Sequence, residues 1–149
     1  MPDGTSQTIG KDLGTFTVTS GQITGLGSSV TDACVGLVYT GKFKSAKLAY
    51  AAARGTPLGQ SKRVDRVGLA LIDTHHAGLE YGGDFTTMDT LPAIEDGADT
   101  ADNVIWEDRE IAMTTLPGQW STDSRICLRA TAPKPCTVAA AIIQVTTNE

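Results

Sequence analysis

The chain predicts an all-β fold, an antiparallel β-sandwich in a single domain. Three features carry that reading. Apolar residues recur at every second position in several short runs, turn-forming residues separate those runs at intervals of about ten residues, and sixteen glycines accompany few helix-capping signatures. The 149 residues suffice for one hydrophobic core without metal or disulfide staples and leave no room for a second domain.

Residues 1–12 hold one aliphatic side chain worth burying, Ile9, among Gly, Ser, Thr and Asp, and read as a flexible N-terminal arm or linker before a domain spanning 13–149. "GTFTVTS" sets Phe16 and Val18 against threonines, and "ACVGLVY" sets Val35, Leu37 and Tyr39 against Cys34, Gly36 and Val38; both predict strands. "GKFKSAKLAY" fits an extended chain, and its apolar positions 43, 46, 49 and 50 fit a helix as well. In "RVDRVGLALID", Val67, Leu69 and Leu71 point one way while Arg66, Gly68, Ala70 and Ile72 point the other, which predicts a central strand. "THHAGLEYGG" is a connector that includes a short strand, "GLEYG". The stretch from Asp84 to Asn103, with Pro92 among Asp89, Glu95, Asp96, Asp99 and Asp102, reads as a long acidic loop. "NVIWEDREIAM" and "SRICLRAT" flank "TTLPGQWST" as a hairpin, with Pro117 and Gly118 at the centre of a type II turn. "CTVAAAIIQV" is apolar on both faces and belongs inside the fold rather than at an edge. The expected core is Val67, Leu69, Leu71, Ile126, Leu128, Val138, Ala140 and Ile142.

A formal net charge of -5 excludes a protein that wraps nucleic acid with its whole surface, so any basic contact is local. The local candidate is the knot of Lys62, Arg63 and Arg66. It is not a phosphate cradle: "GTPLGQSKR" lacks the Gly-x4-Gly-Lys-Ser/Thr spacing, and a strand follows it instead of a helix. His75 and His76 are adjacent and read as solvated loop residues. The carboxylates at 95, 96, 99 and 102 lack the ligand spacing of an EF-hand loop and read as a solvated acidic surface. No G-x-S-x-G or H-E-x-x-H phrase occurs, so no catalytic residue, metal or cofactor is expected. Cys34, Cys127 and Cys136, an odd number without C-x-x-C spacing, read as unpaired small core residues. No apolar run reaches the ~18 residues of a membrane span and no signal peptide is evident, so synthesis in the cytoplasm is expected. Trp106 and Trp120 fit core or hairpin packing, or else sugar-stacking platforms.

The order of phrases goes further than composition. "ACVGLVYTGKFKSAKLA", "GTPLGQSKRVDRVGLALIDTHHAGLEYGGDF" and "PGQWSTDSRICLRATAPKPCTVAAAIIQV" together resemble the carboxy-terminal region of the tail nozzle proteins of short-tailed bacteriophages, also called tail tubular protein B. The matching residues are Gly36, Tyr39 and Thr40; Gly59, Lys62, Arg63 and Val64; Gly78, Leu79, Tyr81 and Gly82; Gly118 and Trp120; and Arg129, Pro133, Pro135, Thr137 and Val138. The likeness spans residues 14–145. In that family the region closes a much longer chain, whereas here Met1 stands directly before it, so the chain is an excised domain or a free-standing version.

The resemblance implies a virion structural protein located in the tail, a nozzle or tail-tube-like component that forms a ring-like homo-oligomer at the portal-tail axis. Its partners are then copies of itself and other tail or portal-adaptor proteins, with passing contact with genomic DNA and no membrane. In the family the basic phrase opens a strand, so Lys62 and Arg63 are expected to be solvated. With Arg66 they are interface candidates, facing Glu95, Asp96, Asp99 and Asp102 of an adjacent copy. The alternative is a phage-borne carbohydrate- or receptor-binding sandwich that uses Trp106, Trp120 and the 84–103 loop.

Overall fold

The computed structural model describes residues 13–25, 33–48, 57–92, 105–116 and 118–148. The chain is all-β, and every strand pair is antiparallel. β1 (Val18–Thr19) and β2 (Gln22–Ile23) form a small hairpin. Its two-residue loop, Ser20 and Gly21, has φ of 51° and 76°, the doubly positive geometry that a twisted two-residue hairpin turn requires. The run "GTFTVTS" is therefore mostly outside strand.

Seven further strands follow: β3 (Thr40–Lys44), β4 (Lys62–His75), β5 (Leu79–Gly82), β6 (Met88–Thr90), β7 (Ile105–Thr115), β8 (Cys127–Thr131) and β9 (Thr137–Thr147). They make two larger sheets, ordered β3-β8-β5-β6 and β7-β4-β9. One apolar cluster draws on both. β4 contributes Val64, Val67, Leu69 and Leu71, β7 contributes Ile111, β5 contributes Leu79 and Tyr81, and β8 contributes Leu128, with Leu91, Leu116 and Ile126 from the connections. Complete burial of side chains such as Leu71 and Val67 stabilises the fold by roughly 1.5–3 kcal/mol each.

β4 is the central strand that the alternation predicts, and "GKFKSAKLAY" is extended rather than helical over Thr40–Lys44. Four other expectations are corrected. "ACVGLVY" forms no strand among the described residues, and pairing begins only at Thr40. The acidic stretch contains a strand, β6, at Met88–Thr90. β7 and β8 do not form a hairpin: β7 pairs with β4, and β8 lies between β3 and β5 in the other sheet. The turn expected at Pro117 and Gly118 includes Pro117, which lies outside the described residues. A Cβ on Gly118 would collide with the carbonyl oxygen of Val64, and its N–H donates to the Leu116 carbonyl at 2.7 Å.

The fourth correction concerns the last strand. β9 is an edge, not an interior strand, and Ala140 and Ile142 are exposed. The pairings Ala70 to Ala140 and Leu71 to Val138 leave Ala139 as an extra residue, a β-bulge. One extra residue reverses a period of two. Val138 on one side of the bulge and Ile143 and Val145 on the other therefore pack against the core, while Ala140 and Ile142, beyond the bulge, face out.

Truncation should report this phase directly. Leu71→Ala is expected to lower stability by about 2–5 kcal/mol. Ile143→Ala is expected to cost clearly more than Ile142→Ala, which stays within about 0.5 kcal/mol. Urea unfolding monitored by tryptophan fluorescence checks the order, and equal losses at 142 and 143 would refute the bulge.

Candidate functional site

The basic knot lies at the start of β4, where the strand carries its own bulge. Val64 pairs with Val145 and Arg66 with Gln144, so Asp65 is the extra residue. The bulge keeps Lys62, Val64 and Val67 on the core side and sends Arg63 and Arg66 outward. Arg63 and Asp65, two apart, then meet on the outer face, with Nε 2.6 Å from Oδ1. The Arg63 guanidinium also sits 5.5 Å from the centroid of the Trp120 ring, within cation-π range.

Lys62 departs from its expected role. It is 1% exposed, with Nζ donating to the carbonyls of Gln60 at 3.3 Å and Thr122 at 3.4 Å. Its backbone is bridged to Ser121 in both directions, and its carbonyl accepts from Ser124 Oγ at 2.6 Å. The turn over residues 121–124 thus closes over the side chain. An ammonium can be buried where carbonyl oxygens replace its water, and these two do so.

Asp65 is the hub of the outer face. Its carboxylate accepts from Thr146 Oγ1 on β9 as well as from Arg63, and its carbonyl accepts from Leu116 N at 2.9 Å. The Thr146 hydroxyl is the largest influence holding its carboxyl below the usual value, partly opposed by burial and reinforced by Arg63. Around this hub is an open recess of about 560 Å³ lined by Arg63, Asp65, Arg66, Leu116, Gly118 and Gln144, among others. Of the three cations, Lys62 is internal and Arg63 is paired within the chain. Arg66 forms no ion pair among the described residues.

Glu95, Asp96, Asp99 and Asp102 lie outside the described residues, as does the 1–12 arm. Trp106 lies on β7, opposite Thr74. Trp120 is half exposed, with Arg63 against its ring.

The histidines are buried, not solvated. His75 Nδ1 accepts from Ala77 N at 3.1 Å and caps the short turn His76–Gly78. His76 Nε2 lies 3.2 Å from the Leu91 carbonyl, which can only accept, so that nitrogen carries a proton. All three cysteines are free thiols, but Cys34 is exposed rather than in the core. Burial raises the titration of Cys127 and Cys136. Among the described residues no group of three metal-ligating side chains occurs, and no helix is long and apolar enough to cross a membrane.

Two surfaces were not anticipated as sites. Residues 33–39 expose Val35, Leu37, Val38 and Tyr39, and β9 leaves one edge unpaired among the described residues. The detectable signal for the second is that Thr137–Thr147 contains no charge, proline or glycine. No family model matches the chain, and no curated protein matches it significantly.

Charge reversal separates the buried cation from the exposed one. Lys62→Glu places a carboxylate against two carbonyl oxygens and is expected to cost ~3 kcal/mol or more, whereas Arg66→Glu stays within about 1 kcal/mol. Thermal unfolding checks both, and similar losses would contradict the burial of Lys62.

Asp65 gives a pH test. Its folded titration lies below the unfolded one, so its contribution to stability is complete above the unfolded value and is lost as pH falls through the lowered folded value. Thr146→Val is expected to raise the Asp65 titration toward the ordinary aspartate value and flatten the acid limb of the stability curve. Carboxyl NMR titration reads the shift, and an unmoved Asp65 would remove Thr146 from this role.

Proposed function

We propose that the chain is a structural component of the tail of a short-tailed bacteriophage, of the tail nozzle type, acting through assembly with copies of itself and neighbouring tail proteins rather than through catalysis. The observation that carries this reading is the ordered succession of phrases from Gly36 to Val138 that resembles the nozzle carboxy-terminal region.

What supports it is where those phrases meet. A Cβ on Gly36 would stand 2.8 Å from Pro133 Cβ, one on Gly78 would stand 3.1 Å from the Pro135 carbonyl oxygen, and Gly118 abuts Val64 and Arg63. Residues from separate phrases thus touch in space, and the phrases describe backbone close approaches that define a fold. A catalytic signature would instead bring side-chain donors and acceptors together around an open cleft. The knot's limited free charge fits passing contact with DNA better than retention, since non-specific affinity scales with the number of phosphates neutralised.

Immunogold labelling of virions that encode the chain, with an antibody raised against the purified protein, should place gold on the tail. Unlabelled virions, or specific capture on a glycan array that Trp120→Ala abolishes, would overturn the proposal in favour of a soluble protein or a sugar-binding module respectively.

A further inference from the structure

We propose that copies of this chain join by strand donation: residues 33–39 of one copy add to the free edge of β9 in the next. This rests on the structural reading above and names the contact that builds the assembly.

The donor has the sequence of a strand without the partner. Its alternation is that of a β-strand, it carries no charge, and it runs directly into β3 at Thr40. Val35, Leu37 and Tyr39 are 71%, 89% and 68% exposed. Among the described residues its backbone is tied down at its last residue, where the Tyr39 carbonyl accepts from Ala132 N at 2.9 Å. Exposing three large apolar side chains in five residues loses burial that a partner would restore, and the N–H and C=O groups that have no ladder partner among the described residues are ready for one.

Among the described residues the acceptor is the one long edge left without protection. β3 presents Lys42 and Lys44, β7 carries Glu107, Asp108, Arg109 and Glu110, and β6 has three residues. Charges of this kind, and shortness, are what keep sheet edges from pairing. β9 runs for 11 residues without charge or proline, with β4 on one side and, among the described residues, no strand on the other. Ile142, 67% exposed, stands with Met113 beside Gly68, making the outer face next to the edge apolar. At about 3.3 Å per residue the donor spans roughly 23 Å and the edge roughly 36 Å, so the donor fits within it.

Pairing β9 with its own copy would satisfy the edge and leave residues 33–39 exposed. Donation satisfies both. Because donor and acceptor are different surfaces, the contact is head-to-tail, repeats from copy to copy, and gives a ring where the rotation closes.

Sedimentation velocity on the purified full chain and two variants tests this. Wild type is expected to self-associate at micromolar concentration, and Leu37→Asp and Ile142→Asp should each weaken association by about thirtyfold or more while keeping the wild-type far-ultraviolet spectrum. Mixed together, the two variants should form a dimer and stop there, because the Leu37→Asp chain keeps its β9 edge and the Ile142→Asp chain keeps its donor. If either variant loses its fold, Val35→Asp or Ala140→Asp replaces it in the same mixture. A monomeric wild type, assembly undisturbed by Leu37→Asp, or a mixture that stays monomeric would each overturn the contact. A monomer that still labels virion tails would sink strand donation and leave the tail assignment standing, whereas donation without tail labelling would do the reverse.

Discussion

The backbone of β4 is hydrogen-bonded along both edges, and that constraint orders the rest of the molecule. A 14-residue strand held between β7 and β9 has no freedom to rotate, so each side chain is assigned to the core or to the outer face by its place in a period of two. The sheet departs from that count in three places: at Asp65 on β4, at Ala139 on β9, and between Ile111 and Thr114 on β7. Each departure resets the phase so that apolar residues return to the core. The first also creates the outer cluster of Arg63, Asp65 and Arg66. The core and the candidate site are therefore two results of one register.

What was legible in the sequence follows the same rule. The middle of β4 and the run Ile126–Leu128 could be read because their alternation has a single phase, and their buried residues are the expected ones. β9 could not be phased: "VAAAII" is apolar on both faces, so its pattern contains neither a preferred face nor the bulge. Partner choice was also hidden, because β7 and β8 have the local chemistry of a hairpin while their hydrogen-bond partners lie elsewhere in the chain. Lys62 read as solvated since lysine almost always is, and one carbonyl that permits its burial, that of Thr122, is 60 residues away. The segment 33–39 has the alternation of a strand and was read as one, but it forms none here, because pairing depends on what stands beside it.

Charge is distributed in a way that bears on assembly. Arg63 is paired with Asp65, Arg125 with Asp123 and Arg129 with Glu80, the last directly across β5 and β8. Partly exposed pairs of this kind contribute little stability, typically up to ~1 kcal/mol, but they orient their side chains and occupy them. Three basic groups that composition alone would offer to an acidic neighbour are thus committed inside the chain, whereas Arg66 is not ion-paired among the described residues. The other surfaces left over there include exposed apolar side chains and the backbone edge of β9.

This inverts the electrostatic expectation for how copies meet. Two chains of formal net charge -5 repel at long range, so electrostatics alone opposes their encounter, most strongly at low ionic strength where screening is weakest. Contacts built from ladder hydrogen bonds and buried Val, Leu and Ile side chains act only at short range and are little affected by screening. If copies join by the proposed edge contact, salt is expected to help their association by quieting the repulsion while leaving the attraction intact. A phosphate-binding knot behaves oppositely and loses affinity as salt rises. The sign of the salt dependence thus distinguishes an apolar edge contact from a basic groove, and the burial of Lys62 together with the pairing of Arg63 puts the physical weight on the edge.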